Sequence, residues 1–216
     1  MVFQIQNRYF PSNTYILKKD SNNKCIVIDP GLDSENIHKC ILENNLLPIG
    51  IICTHGHFDH IASVAYLKKE FGNIPYYLHK ADLKIAKSAN FYLKLAKIKY
   101  WIEYVVPDYI IEDKIEEIEI GGFNFSVFNF PGHSDGSCIL KYYDILFTGD
   151  IMYKTGLGLN NFPGEKINML KESIKNVILS FDKDCLVYPG HGDSEYLGKI
   201  TTKNLELVNF INNLVL

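Results

Sequence analysis

The 216-residue chain is 47% hydrophobic and 22% charged, with a formal net charge of -3; this length and apolar content suit one globular domain spanning 1–216 around a sizeable core. The slight acidity gives no overall attraction to nucleic acid or to acidic membranes, so neither is expected as a partner. Five cysteines without a Cys-x-x-Cys pair do not make a disulfide framework and read as buried thiols of a reducing compartment. No basic-then-apolar leader opens the sequence, and no run approaches the roughly 18 apolar residues that span a bilayer, so a cytoplasmic protein is expected.

In chain order, 13–19 and 24–28 are short β-rich runs on either side of the turn-forming 20–23, the pattern of an antiparallel hairpin. Asp29-Pro30-Gly31 ends the second run. From Asp33 or Ser34 as N-cap, the spacing of Ile37, Cys40 and Ile41 predicts a helix that stops by Pro48, and a buried strand over 49–53 follows. Ile61, Val64, Leu67 and Phe71 recur at close to helical period and Gly72 ends the run, which puts His55 to His60 in a strand-to-helix loop.

A short strand at 76–78 leads into 79–104, read as one or two helices with lysines at 80, 84, 87, 94 and 97 near one face. The stretches 115–120, 123–130, 137–142 and 145–148 read as strands of an antiparallel sheet, punctuated by Gly121-Gly122 and Pro131-Gly132. A helix over 166–181, a strand over 185–188 and a mainly helical 197–216 complete the chain. Two β-rich blocks, each trailed by helices, predict an α/β (α+β) fold with two sheets face to face and helices outside.

Thr54-His-Gly-His-Phe-Asp-His60 carries three histidines and an aspartate at spacings that no regular element places on one face. A loop entering a helix can hand His55 and His57 to one ion and Asp59 and His60 to a second close by. Imidazole and carboxylate suit zinc and, less selectively, iron or manganese. Three more ligand-type residues follow apolar strands: His133 in Pro-Gly-His-Ser-Asp-Gly, Asp150 after Ile-Leu-Phe-Thr-Gly, and His191 in Tyr-Pro-Gly-His-Gly. Taken alone each would read as a turn residue; beside the first cluster they read as ligands. His38 and His79 read as structural or merely exposed.

These elements, with the Asp29-Pro-Gly31 turn, Thr148-Gly-Asp150 and Pro189-Gly-His-Gly192, resemble the metallo-β-lactamase superfamily and within it the glyoxalase II-like (hydroxyacylglutathione hydrolase-like) hydrolases, over about 13–204. The resemblance implies a four-layer αββα sandwich. It assigns His55, His57 and His133 to one divalent metal and Asp59, His60 and His191 to another, most readily zinc, with Asp150 bridging. Asp29 and Thr54 would stand behind these ligands. A metal-bound hydroxide would attack the carbonyl of a small thioester or ester, with Asp59 orienting the nucleophile or moving its proton.

The sequence departs from the family after Asp150. Where the family commonly carries Gly-Arg-x-Asp and the glutathione-specific enzymes Gly-Lys-Phe-Tyr, the matching stretch here is Gly158-Leu-Asn-Asn161, leaving Asn161 as the candidate substrate contact. Those enzymes also continue into an extra C-terminal helical region that this sequence lacks, so S-lactoylglutathione is not the expected substrate. The segment 79–104, with Phe91, Tyr92, Tyr100 and Trp101, reads either as an aromatic lid or, more plainly, as an amphipathic surface helix whose aromatics pack on the core. Competing functions are a mononuclear iron persulfide dioxygenase, a metal-dependent nuclease and a metal-binding protein without catalysis.

Overall fold

The computed structural model describes residues 1–19, 22–112, 114–159 and 164–212. No helix among them is long and apolar enough to cross a membrane. The chain forms two compact units, one of Met1–Glu112 with Glu119–Phe123 and one of Asp113–Ile118 with Asn124–Leu216.

The first unit is built on a six-stranded sheet of β1 (Val2–Gln6), β2 (Asn13–Lys18), β3 (Lys24–Ile28), β4 (Leu47–Ile52), β5 (Tyr76–His79) and β6 (Tyr109–Ile111), in that order. β1, β2 and β3 pair antiparallel, whereas β3 to β6 run parallel. Parallel neighbours need crossover connections. These are α1 (Ser34–Glu43), then α2 (Phe58–Ile61) with α3 (Val64–Glu70), then α4 (Leu83–Lys87) with α5 (Ala89–Leu95). Cys25, Ile26, Val27 and Ile28 are all buried, the continuous apolar run of a strand covered on both faces. Ile37 and Ile41, four residues apart, are the fully buried stripe of α1.

Three local expectations change in this unit. The strands β1 and β6 were not expected from the pattern. The helix expected over 61–71 breaks at Ala62-Ser63, because the Ser63 amide donates to Pro30 O at 2.9 Å and its hydroxyl to Gly31 O, tying the chain to the Asp-Pro-Gly turn. The helices expected over 79–104 end at Leu95. There Lys97 turns left-handed (φ 57°) and the Ile98 amide closes on Leu93 O at 2.9 Å, as in a helix C-terminal turn.

The second sheet has the order β12-β11-β10-β9-β8-β7, from β7 (Ile115–Ile120), β8 (Phe123–Asn129), β9 (Cys138–Tyr142), β10 (Ile145–Gly149), β11 (Leu186–Pro189) and β12 (Glu195–Tyr196). The β7–β8 connection is two residues long, and Gly121 and Gly122 both carry the positive φ (56° and 91°) that such a turn requires. The antiparallel run expected over 115–148 is present, with β8–β9 and β9–β10 pairing antiparallel; β11, for which the pattern implied no direction, pairs parallel with β10 through the crossover helix α6 (Ile167–Ser180). Leu170, Ile174 and Val177 of α6 join Leu146, Val187, Leu197 and Ile200 in the core of this unit. The helices α7 (Leu197–Lys203) and α8 (Leu205–Asn212) follow.

In both units the candidate chemistry leaves the sheet at the carboxyl ends of strands, where open α/β sheets present their ligands. Asp29 follows β3, Thr54 to His60 follow β4, and His79 and Asp82 close β5. In the second unit His133 follows β8, Asp150 follows β10 and His191 follows β11.

Candidate metal centre

In the first unit His55, His57, Asp59 and His60 are all at most 4% exposed. The loop after β4 packs their rings together: the centroids of His55 and His57 are 4.8 Å apart, and those of His55 and His60 are 4.2 Å apart. The Oδ2 of Asp59 lies 3.3 Å from Nε2 of His60. Neighbouring turns hold this loop. Ser12 Oγ donates to Asp59 O at 2.8 Å, and Gly31 approaches so closely that a Cβ there would sit 2.5 Å from the same carbonyl.

Asp29 organises the imidazoles. Its backbone is left-handed (φ 50°), a conformation that aspartate tolerates better than most residues. One carboxylate oxygen accepts from the Thr54 amide at 2.7 Å; the other accepts from the Thr54 hydroxyl at 2.7 Å and faces His60 Nδ1 at 3.1 Å. A carboxylate can only accept, so His60 carries its proton on Nδ1 and keeps the Nε2 lone pair. The Thr54 hydroxyl spends its one proton on Asp29 and therefore accepts from His55 Nδ1 at 3.1 Å, which leaves Nε2 of His55 the basic nitrogen too. Asp29, His55 and His60 are close enough to be grouped as possible ligands. The Asp29 oxygens are committed to Thr54 and His60, so Asp29 fixes the orientation of the His60 imidazole.

Asp82 has a similar place beneath the loop. It is fully buried, and its Oδ2 accepts from the Gly56 amide at 2.8 Å, between the two histidines of His-x-His. A Cβ at Gly56 would meet the Asp82 carbonyl at 2.8 Å, so the two backbones require glycine at this crossing. The ring of Tyr92, from α5, packs 5.9 Å from that of His57.

In the second unit Asp150 stands between two histidines. Its Oδ2 is 3.4 Å from Nε2 of His133 and 3.4 Å from Nε2 of His191. His133 Nδ1 donates to the Gly158 carbonyl at 2.8 Å, so Nε2 again bears the lone pair. Glu165 Oε1 is 3.8 Å from the same Nδ1. Gly158 packs directly on the turn that carries Asp150: a Cβ there would fall 1.7 Å from Asp150 O. His133 and Asp150 are buried, but His191 is 20% exposed. It lines a cavity of about 380 Å³ with Tyr153, Lys154, Thr155, Gly192 and Asp193.

This donor chemistry fits divalent metal ions. Two donors each about 2.0–2.1 Å from one tetrahedral ion are themselves about 3.4 Å apart. The Asp59–His60, Asp150–His133 and Asp150–His191 separations of 3.3, 3.4 and 3.4 Å match that spacing, with a single oxygen of Asp150 serving both of its histidines. Thiols do not enter the set. Burial, with Asp29 nearby, pushes the Cys53 thiol well above its ordinary pKa, and burial raises Cys25 to about 12. Cys25, Cys53, Cys138 and Cys185 are the buried thiols expected; Cys40 is half-buried.

All seven expected ligands therefore lie at strand ends, grouped four and three in the two units. Thr54 Oγ1 lies 3.1 Å from His55 Nδ1, and Asp29 Oδ2 lies 3.1 Å from His60 Nδ1. Asn161 lies outside the described residues. His79 is buried, with Nδ1 accepting from the Ala81 amide at 3.3 Å, and His38 Nδ1 meets Tyr66 Oη at 2.7 Å. Asp82 and the Gly158 carbonyl were missed by sequence reasoning; the only local signal was the glycine in His-Gly-His and in Gly-Leu-Gly158. One string invites a different reading, since Gly132-His-Ser-Asp-Gly136 spells Gly-x-Ser-x-Gly. Ser134, however, is buried with its hydroxyl 2.8 Å from that of Ser137, in a loop between two strands and not at a strand-to-helix elbow.

The sequence profile of the Metallo-beta-lactamase superfamily matches residues 7–191. The hydroxyacylglutathione hydrolase GloC of Haemophilus influenzae is 28% identical over 197 residues, covering 90% of this chain and 92% of GloC. Among solved structures, the BLEG-1 B3 metallo-beta-lactamase superposes with a TM-score of 0.83 at 31% identity, over 96% of this chain and 99% of that one. TTHA1623 in a di-iron-bound form gives 0.82 at 27% identity, over 94% and 98%. The chain belongs to the metallo-β-lactamase superfamily, a group of generally metal-dependent hydrolases, and has its mixed α/β fold of two sheets with helices.

Proposed function

We propose that the protein hydrolyses small thioesters or esters with two divalent metal ions. In this reading His55, His57 and His133 would hold one ion, Asp59, His60 and His191 would hold the other, and Asp150 would serve both. The observation that carries it is the single Asp150 oxygen at 3.4 Å from both His133 Nε2 and His191 Nε2, the disposition of a carboxylate shared by two ions. Similarity to a hydroxyacylglutathione hydrolase supports the thioester, and similarity to a di-iron protein supports two metals while widening the choice from zinc to iron.

Bound divalent ions would activate water at neutral pH and polarise the carbonyl of the substrate. The protein's own groups prepare that chemistry. Asp29, Thr54 and the Gly158 carbonyl hold protons on Nδ1 of His60, His55 and His133, so that Nε2 would be the nitrogen through which each of them holds an ion. Asp59, with Oδ2 beside His60, orients the attacking water and takes up its proton. The cavity beside His191 admits a small acyl substrate. Leu159, where glutathione-specific enzymes carry a cation, argues against glutathione as the leaving group.

The test is a metal analysis of the purified protein, with hydrolysis of a thioester, ester and lactone panel and oxygen consumption measured on the same sample. Two metals per chain with hydrolysis that stops in chelator are expected, and Asp59→Ala should abolish turnover. One iron per chain with persulfide-dependent oxygen uptake would replace this reading with a dioxygenase. Cleavage of RNA without turnover of any ester would replace it with a nuclease, and metal binding without either activity would leave a binding protein.

A further inference from the structure

The most distinctive surface outside the candidate centre is formed by α4, α5 and the chain that follows them to Trp101. From 80 to 101 the sequence carries Lys80, Lys84, Lys87, Lys94, Lys97 and Lys99, all exposed. Its one acid is Asp82, fully buried, and the next exposed acid is Glu103. The overall charge of -3 conceals this local cationic excess.

Large apolar side chains stand among the lysines: Phe91 is 57% exposed, Leu95 49% and Trp101 77%. Phe91 and Leu95 are four residues apart on α5 and share a face. Trp101 is drawn alongside, because Asn90 Nδ2 donates to Ile102 O at 2.8 Å and the Ile102 amide returns to Asn90 Oδ1 at 2.9 Å. These two bonds join the immediate neighbours of Phe91 and Trp101. The inner face of α5 is different. Tyr92 and Leu93 are buried there, with Tyr92 against His57. The aromatics of this segment thus divide: Tyr92 packs inward, while Phe91 and Trp101 do not pack on the core as the plainer sequence reading had it.

We infer that this face docks peripherally on an anionic lipid bilayer, with Trp101, Phe91 and Leu95 at the headgroup boundary and the lysines among the phosphates. Amphipathic surfaces of lysine with Trp, Phe and Leu bind bilayers by combining apolar burial with attraction to anionic lipid. Tryptophan favours that boundary, and lysine stems reach along apolar surface to keep their ammonium groups in the headgroup layer. RNA is disfavoured as the occupant, because Leu95 offers no π-face for a base and the segment contains no arginine. An acidic protein is disfavoured because lysine is depleted from protein interfaces. The inference is independent of the proposed hydrolysis.

Trp101 is the chain's single tryptophan, so its fluorescence reports directly on this surface. The full chain is mixed with vesicles of phosphatidylcholine alone or with an equal part of phosphatidylglycerol, and binding is read by emission and co-sedimentation. A blue shift and sedimentation with the anionic vesicles only, reversed by high salt, are expected. Lys87→Glu with Lys94→Glu should weaken partition roughly a hundredfold, and Phe91→Ser with Leu95→Ser should also weaken it; thermal melts verify that both variants stay folded. No binding to either vesicle, or equal binding to both, overturns the inference. So does binding of polyuridylate or polyglutamate without binding to anionic vesicles.

Discussion

Asp29 Oδ2 faces His60 Nδ1 at 3.1 Å from a backbone that is left-handed, so the residue that fixes this imidazole is itself held in a conformation few side chains accept. Asparagine tolerates that backbone and keeps the shape, but its amide nitrogen cannot accept from Thr54 Oγ1 or His60 Nδ1. Asp29→Asn should therefore fold, lose about 1–3 kcal/mol of stability and bind metal about 10–100-fold more weakly. Competition with a chromogenic chelator, beside a denaturant melt, measures both.

Asp82→Ala removes the acceptor of the Gly56 amide inside the protein and leaves that donor buried. A stability loss of about 1–3 kcal/mol is expected, accompanied by weaker metal binding as His55 and His57 lose their fixed spacing. Asp82→Asn, which retains an acceptor oxygen, should recover most of the stability. Equal losses in the two variants would show that the Asp82 charge matters more than its hydrogen bond.

Gly158→Ala places a Cβ where Asp150 O already stands, 1.7 Å away. Backbone must shift, at a cost of about 1–3 kcal/mol, and the shift moves both the Asp150 turn and the carbonyl that fixes His133. Gly158 has no positive φ, so the loss is one of crowding, and metal affinity should fall with stability; Gly164→Ala, left-handed with nothing within 4 Å of its Cβ, should cost backbone strain and leave metal affinity unchanged. Chelator competition and thermal melts on the pair separate the two effects.

Arg8 binds Asp33 through two hydrogen bonds of 2.8 Å, and its guanidinium holds the Asp33 carboxyl below the usual carboxylate range. The folded state thus favours the ionised form. This contribution is complete above the unfolded pKa of about 3.9 and is lost as pH falls through the lower folded value. Arg8→Gln should lower the melting temperature slightly at pH 7, and the gap from wild type should close in acid. Arg8 is largely exposed, so raised salt should narrow the gap as well.

Much of this was legible because chemistry and punctuation coincide in the sequence. Three histidines and an aspartate within six residues after an apolar run marked the first cluster, and Gly149-Asp150 and Gly190-His191 marked strand ends. β6 was illegible because it is three residues long and two of them are exposed, so it has no pattern to read. The end of α5 was illegible for another reason. Lys97 takes a left-handed backbone that glycine usually signals, and the Asn90–Ile102 pairing joins residues twelve apart. Asp82 was hidden because its role depends on β4 and β5 lying side by side in parallel, a relation carried by tertiary pairing and not by local sequence.

The parallel run from β3 to β5 also leaves one end of the first sheet chemically silent. Every donor and every orienting group departs from the carboxyl ends, while the connections entering β4 and β5 from the other side, 44–46 and 71–75, carry none of them. Asn45, Gly72 and Asn73 turn those connections with positive φ, and a Cβ at Gly72 would touch nothing within 4 Å. These turns are the natural attachment points for a label, a surface tether or a new pair of chain ends, because a change made there is separated from the candidate metal ligands by the full length of a strand.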